Sequence, residues 1–141
     1  EDPHNVGAII RVAAASGAAG VILSKHRQAP VNGTVFKTSA GTITKVPIII
    51  VSNVNDAIKK LKDAKFWVVG LDTDKGKSIW NEEYDTPMAF VVGNEGRGLR
   101  DSTEKSCDYT IKIPMENGVE SLNASVSAAV VAYEWKRKNT R

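Results

Sequence analysis

One cysteine, two histidines and two methionines are all that the 141 residues carry of those types, and each scarcity removes a class of chemistry. The lone Cys107 excludes an internal disulfide and a cysteine-built zinc site, and it fits a reducing cytoplasm. His4 and His26 have no accompanying set of ligands, so a histidine metal centre has nothing to build on. No apolar run approaches the roughly 18 residues of a membrane span, and no signal peptide is visible, so no membrane partner is expected. Internal repeats and low-complexity stretches are also missing. Charge of one sign is only mildly in excess. The net charge of +3 and a pI near 9.0 permit an RNA or DNA partner without demonstrating one.

What is present is ordinary for a globular domain: 42% apolar and 25% charged residues, in a length that makes residues 1–141 one domain with a real core. The chain opens at Glu1 and enters a helical pattern at once. The expectation is an excised piece of a longer protein, without the strand that normally precedes such a helix in an α/β sheet.

The pattern predicts a helix from Asp2 and Pro3 to Ala15, with Val6, Ile9, Ile10 and Ala13 on one face. A short buried strand follows over Gly20–Ser24. Then comes a basic loop with Lys25, His26 and Arg27, whose histidine reads as solvated, with a phosphate contact to RNA as the alternative. Asn32–Ser39 reads as a short helix, and Ser39, Ala40 and Gly41 as a tight small-residue turn that lets a backbone or ligand approach. Pro47–Val51 is an apolar strand. Asn53 caps a helix with Val54, Ala57, Ile58 and Leu61 on one side and lysines on the other. Phe66–Leu71 is the next strand, and residues 72–86 read as a polar loop with Trp80 and Tyr84. Gly76-Lys77-Ser78 ends like a phosphate-binding loop, but the glycine needed five residues earlier is Leu71, which excludes that motif.

The most informative stretch runs from Pro87 to Asn123. An apolar strand, Met88–Val92, stops at a loop holding Gly93, Gly96 and Gly98. A second strand, Tyr109–Ile113, stops at Pro114 and leads through a polar loop into a last helix, expected over Leu122–Lys138 and carrying Ser121 and Asn123 near its start. Leu122, Val126, Ala129, Val130 and Tyr133 form one stripe of that helix, and Lys136, Arg137 and Lys138 suit its C-terminus. Alternating helices and apolar strands predict an α/β fold: a mostly parallel sheet with helices on both faces, and a ligand site where strand ends lie side by side.

The glycine loop reads G-x-x-G-x-G and follows a late strand, so a dinucleotide fingerprint is weak. Glu95 has no second carboxylate at fixed spacing, and no nucleophile elbow is present. There remains a polar set without a strong nucleophile: Asn5, Arg11, Glu95, Ser121 and Asn123. Such groups orient two bound substrates and stabilise charge between them.

Three segments, D-P-H-N-V-G-A-I-I-R, F-V-V-G-N-E-G-R-G-L and I-P-M-E-N-G-V-E-S-L-N-A-S-V-S-A-A, occur in order. They resemble the three motifs of the SpoU (TrmH) family, S-adenosylmethionine-dependent RNA ribose 2′-O-methyltransferases of the SPOUT superfamily. The resemblance implies a C-terminal deep trefoil knot, a homodimer, and a methyl-donor site beside the knot. It implies catalytic or positioning roles for Asn5, Arg11, Glu95, Ser121 and Asn123. It implies a donor pocket formed around Ser39, Ala40, Gly41, Gly93, Asn94, Gly96, Ile113, Pro114 and Leu122. The forms of the first and third motifs are nearest to large-subunit rRNA guanosine methylases, which favours rRNA over tRNA as substrate. Two other readings stay open: an idle RNA-binding relative, and a flavodoxin-like nucleotide-binding domain.

Overall fold

A computed structural model describes residues 3–25, 33–94 and 98–140. The asparagine expected to cap a helix does so. Asn53 Oδ1 accepts hydrogen bonds from the amides of Asn55 (2.9 Å) and Asp56 (3.2 Å), opening α3 (Val54–Asp63). This helix turns Ile58 inward and leaves Lys59 and Lys60 exposed. The other helices are α1 (Pro3–Ser16), α2 (Gly33–Thr38), α4 (Asp101–Ser106) and α5 (Ala124–Asn139). The Asp2 cap, and the loop with His26 and Arg27, lie outside the described residues.

The strands are β1 (Val21–Ser24), β2 (Ile48–Val51), β3 (Trp67–Asp72), β4 (Lys77–Ser78), β5 (Met88–Val91) and β6 (Tyr109–Lys112). Every pairing among them is parallel, as the apolar runs predicted. They form two sheets where the sequence reading pictured one: β1-β2, and β4-β6-β3-β5. Each sheet has its own core. Val6, Ile10 and Ala13 of α1 pack on Val21 and Leu23 in the first. Val69, Leu71, Ile111 and Val131 form the heart of the second. A third cluster, Ile58, Val68 and Cys107, seats α3 on the far face of the larger sheet. The halves meet where α1 packs against α5.

β3 is flanked on both sides, by β5 (Gly70 opposite Val91) and by β6 (Asp72 opposite Lys112). Val68, Val69, Gly70 and Leu71 are all buried, as expected for a central parallel strand. Its carboxyl end therefore lies between the loops that leave β5 and β6.

The stretch 72–86 holds more order than a polar loop. It contains the short strand β4 and a 3-10 turn, Ile79–Asn81, and it buries Ile79, Glu82 and Tyr84. Tyr84 donates its hydroxyl to the Ile79 carbonyl (2.9 Å), and its own carbonyl accepts from Asn139 Nδ2 (2.9 Å), tying the end of α5 to this segment.

One expectation for the last helix is corrected. It begins at Ala124, so Ser121 and Leu122 precede it and Asn123 is its cap. The asparagine side chain satisfies the first free amides, so the helical hydrogen-bond pattern starts after it. The apolar stripe is divided: Leu122 and Val130 pack against the core of the larger sheet. Val131 and Glu134 are buried, whereas Val126 and Tyr133 are 47% and 46% exposed. Glu134 is tolerated inside because Arg137 donates two bonds to its carboxylate, which lowers its pKa.

Candidate methyl-donor site

The carboxyl ends of β3, β5 and β6 open onto a cavity of about 330 Å³. Its floor is the end of β3: Leu71, Asp72 and Thr73. Gly93, Asn94, Gly98 and Leu99, beyond β5, form one wall. Ile113 and Met115 after β6, with Glu120, Ser121 and Leu122 before α5, form the opposite wall. Ala124 and Ser127 of α5, and Asp101 and Glu104 of α4, complete it.

The glycine wall is a backbone structure. Asn94 and Gly98 exchange hydrogen bonds, N–H to carbonyl, at 3.2 and 2.8 Å. Gly93 sits hard against the returning strand of the loop. A Cβ there would overlap the carbonyl carbon and oxygen of Gly98 and lie 2.6 Å from the Leu99 nitrogen. Glycine is required at this position by contact rather than by backbone angle.

Asp72 organises the floor. Its Oδ1 accepts from the amides of Asp74 (2.8 Å) and Lys75 (3.2 Å) and turns the chain at the strand end. Burial works against its charge, but these amides and the Lys75 charge prevail, and the carboxyl titrates below its ordinary value. Lys75 reaches Glu104 of α4 (3.4 Å), strapping the same turn to the opposite side. The lining thus presents four carboxylates, Asp72, Asp101, Glu104 and Glu120, and among the described lining residues no lysine or arginine.

Behind the site, Cys107 is buried against Gly70. Burial, with the neighbouring Asp108 charge, pushes its thiol up to about 11. It is a packing residue and not a nucleophile at neutral pH.

Of the residues expected to hold the donor, Gly93, Asn94, Ile113 and Leu122 line the cavity, and so does Ser121. Pro114 lines an adjoining, more open cavity of about 710 Å³ that shares Thr73, Ile113, Met115 and Glu120 with the first. Asn123 stands between two lining residues, and its Oδ1 accepts from Ser125 N (2.9 Å), Val126 N (3.3 Å) and the Ser125 hydroxyl. Its visible work is to fix the start of α5. Glu95 and Gly96 lie outside the described residues.

Ser39, Ala40 and Gly41 are not among the lining residues of this cavity. They form a turn in the first half of the molecule, with Ala40 and Gly41 in the left-handed region (φ 55° and 76°) and Ser39 fully buried. Asn5 and Arg11 lie on α1, also apart from the cavity lining, with Arg11 exposed. Sequence reasoning missed Leu71, Asp72 and Thr73, and with them Asp101 and Glu104. A signal was there for the first group: an aspartate ending a fully apolar strand and followed by T-D-K-G, a turn sequence at the end of what becomes the central strand.

With this geometry in view, the comparisons with known proteins are decisive about kinship. Residues 1–133 match the model of the SpoU rRNA Methylase family. Proteins assigned to the TrmH family of tRNA/rRNA methyltransferases in Staphylococcus aureus and Staphylococcus haemolyticus are 46% and 44% identical over 138 residues. The alignment takes in 98% of this chain, which spans about half the length of these curated relatives (56% and 55%). Among solved structures, the SpoU methyltransferase AviRb from Streptomyces viridochromogenes, in complex with AdoMet, superposes with a TM-score of 0.91. It is 29% identical, over 98% of this chain and 56% of its own. An AdoMet-bound rRNA methyltransferase from Sinorhizobium meliloti gives 0.89 at 27% identity, over 99% and 54%. The chain belongs to the SpoU rRNA methylase family.

Proposed function

We propose that this chain is the catalytic part of an S-adenosylmethionine-dependent RNA methyltransferase that modifies a ribose 2′-hydroxyl, with ribosomal RNA as the substrate. The observation that carries the reading is the charge of the cavity. S-adenosylmethionine bears a sulfonium cation, and a lining with four carboxylates and no base among its described residues suits a positive guest. The tight Gly93 backbone wall fits the same guest, because it presents main-chain groups where a Cβ would block approach.

When bound, the donor would supply an electrophilic methyl group to the ribose oxygen, the carbon–sulfur electron pair staying on the thioether sulfur and the hydroxyl proton passing to water. The chain's part is positioning. Asp72, with its turn, fixes the floor, and the Asn94–Gly98 exchange closes the glycine wall. Asn123 holds α5, and with it Leu122 and Ala124, against the donor. Ser121, exposed on the cavity wall, faces the space left for the ribose or backbone. Arg11 grips the RNA phosphate and stabilises the developing alkoxide; a guanidinium stays protonated and is a poor base. Since Arg11 is outside the cavity lining, a second copy supplies it in a homodimer built on the exposed Val126 and Tyr133 face of α5. The rRNA assignment takes its support from the matching family and from the S. meliloti rRNA methyltransferase. A further neighbour concerned with C/U34 methylation on tRNA keeps tRNA as the comparison substrate.

The test is paired. Calorimetric titration with S-adenosylmethionine should show binding, and transfer of labelled methyl should go to rRNA in preference to tRNA. Arg11→Ala should abolish transfer and leave donor affinity within about threefold, the equivalent of under 1 kcal/mol. Loss of donor binding in that variant would remove Arg11 from the role given to it.

A further inference from the structure

Charge divides this chain into two unlike parts. Between Asp2 and Asp56 there is no aspartate or glutamate, yet Arg11, Lys25, Arg27, Lys37 and Lys45 all fall in that stretch. From Asp56 to Arg141 the signs balance, fourteen basic against fourteen acidic side chains. The boundary coincides with a structural one. The acid-free stretch builds α1, β1, α2 and β2 around its own core, and the balanced stretch builds the larger sheet and the donor cavity.

The cations of the two parts also differ in the acids that accompany them. In the second part Lys62 pairs with Asp108, Lys75 with Glu104, Lys77 with Glu82 and Arg137 with Glu134, while eight other described cations, Lys59 and Lys60 among them, form no ion pair among the described residues but stand among the fourteen acidic residues of that stretch. In the first, Arg11, Lys25, Lys37 and Lys45 are exposed, and none forms an ion pair among the described residues. Unpaired lysines on a surface without carboxylates keep their full attraction for a polyanion, since no local anion competes.

Two of the four, Arg11 and Lys37, belong to the helices α1 and α2, which pack together. Lys37 lies next to Thr38, whose hydroxyl fills the space beside Gly7 of α1. Arg11 is one turn beyond Gly7 on the same helix face. Lys25 follows the carboxyl end of β1, the end at which parallel strands present their ligand sites. Lys45 is elsewhere, ahead of the amino end of β2.

We infer that the phosphate backbone of the RNA runs over this acid-free half, with Lys25 and Lys37 as phosphate contacts, and that the second half adds little to RNA affinity. The carboxylate-lined cavity repels phosphates and leaves the sugar edge to approach the donor. This inference rests on the RNA reading proposed above.

The probe is a fluorescein-labelled single-stranded RNA of about 20 nucleotides, followed by anisotropy from about 50 to about 300 mM salt. Two double variants remove the same formal charge: Lys25→Gln with Lys37→Gln, and Lys59→Gln with Lys60→Gln on exposed positions of α3. Both should keep the wild-type melting temperature and donor affinity. The first should lower the slope of log affinity against log salt by about 1.4, two contacts at roughly 0.7 each for a single strand, and bind about tenfold more weakly at 100 mM salt. The second should change affinity less than twofold. Equal losses in the two variants, or a larger loss from α3, would overturn the inference while leaving the RNA reading standing. A wild-type chain that binds the donor but not RNA at low salt would overturn both.

Discussion

Gly93→Ala is the sharpest test of the donor site, because its cost is readable from the geometry. The added methyl would overlap the Gly98 carbonyl and lie 2.6 Å from the Leu99 nitrogen. Ordinary contact needs about 3.5 Å. The loop has to part by more than about 1 Å, which takes the Asn94–Gly98 exchange, now at 3.2 and 2.8 Å, out of hydrogen-bond range. Two such bonds at about 1 kcal/mol each put the closed loop about 2 kcal/mol out of reach. If the donor needs the closed loop, its affinity falls about 30-fold. Gly118→Ala is the control. That glycine has open space around the Cβ position and a φ of 72°, so it incurs only left-handed strain of about 1 kcal/mol. Calorimetric titration with S-adenosylmethionine reads both variants, with circular dichroism to confirm that each is folded. A Gly93→Ala protein that binds the donor within threefold of wild type refutes the argument that this backbone contact shapes the site.

Asn123→Ala should lower stability by about 1 kcal/mol, and a domain of this size should then melt about 2–4 °C lower. Asn123→Asp keeps a cap oxygen and should melt close to wild type; equal losses would deny the capping role. Cys107, with its thiol held up to about 11, should resist thiol reagents at pH 8 in the folded chain and react at the rate of unfolding. The folded thiol holds its proton above the pH at which the unfolded one loses it. This contribution to stability is therefore full below about pH 8.5 and is lost as pH rises toward 11, which a series of urea melts would detect. Tyr133→Lys on the exposed face of α5 should convert the proposed dimer to a monomer by sedimentation and lose methyl transfer, while donor titration is little changed. A dimer that survives the substitution would move the interface elsewhere.

Much of the fold was legible because local signals and tertiary packing agree. The apolar runs at 48–51 and 88–91 became parallel strands, and the Asn53 cap started its helix where the side chain said it would. What failed did so for want of context. Lys77 and Ser78 have no strand pattern of their own; they pair only because Ile111 and Lys112 offer an edge. The stripe through Val126, Val130 and Tyr133 is a true helical periodicity, but periodicity does not tell that Val130 meets the core while Val126 and Tyr133 stay exposed. The glycine wall and the loop before α5 announced themselves through residue types that tolerate close approach. The floor did not, because Leu71, Asp72 and Thr73 are ordinary residues whose importance comes from the central place of β3 between two neighbours.

The division of the strands into two sheets has a consequence for how the proposed site is aligned. Arg11 rides on the first sheet's helix, and the donor cavity belongs to the second sheet. No ladder hydrogen bond of the described residues spans the gap between the sheets. Within one chain, the α1–α5 contact sets where Arg11 stands relative to the α5 face on which the proposed dimer is built, and so how it would reach the partner's cavity. Substitutions along that contact should retune the turnover number while donor affinity stays constant, which gives selection an adjustment of rate separate from the adjustment of binding.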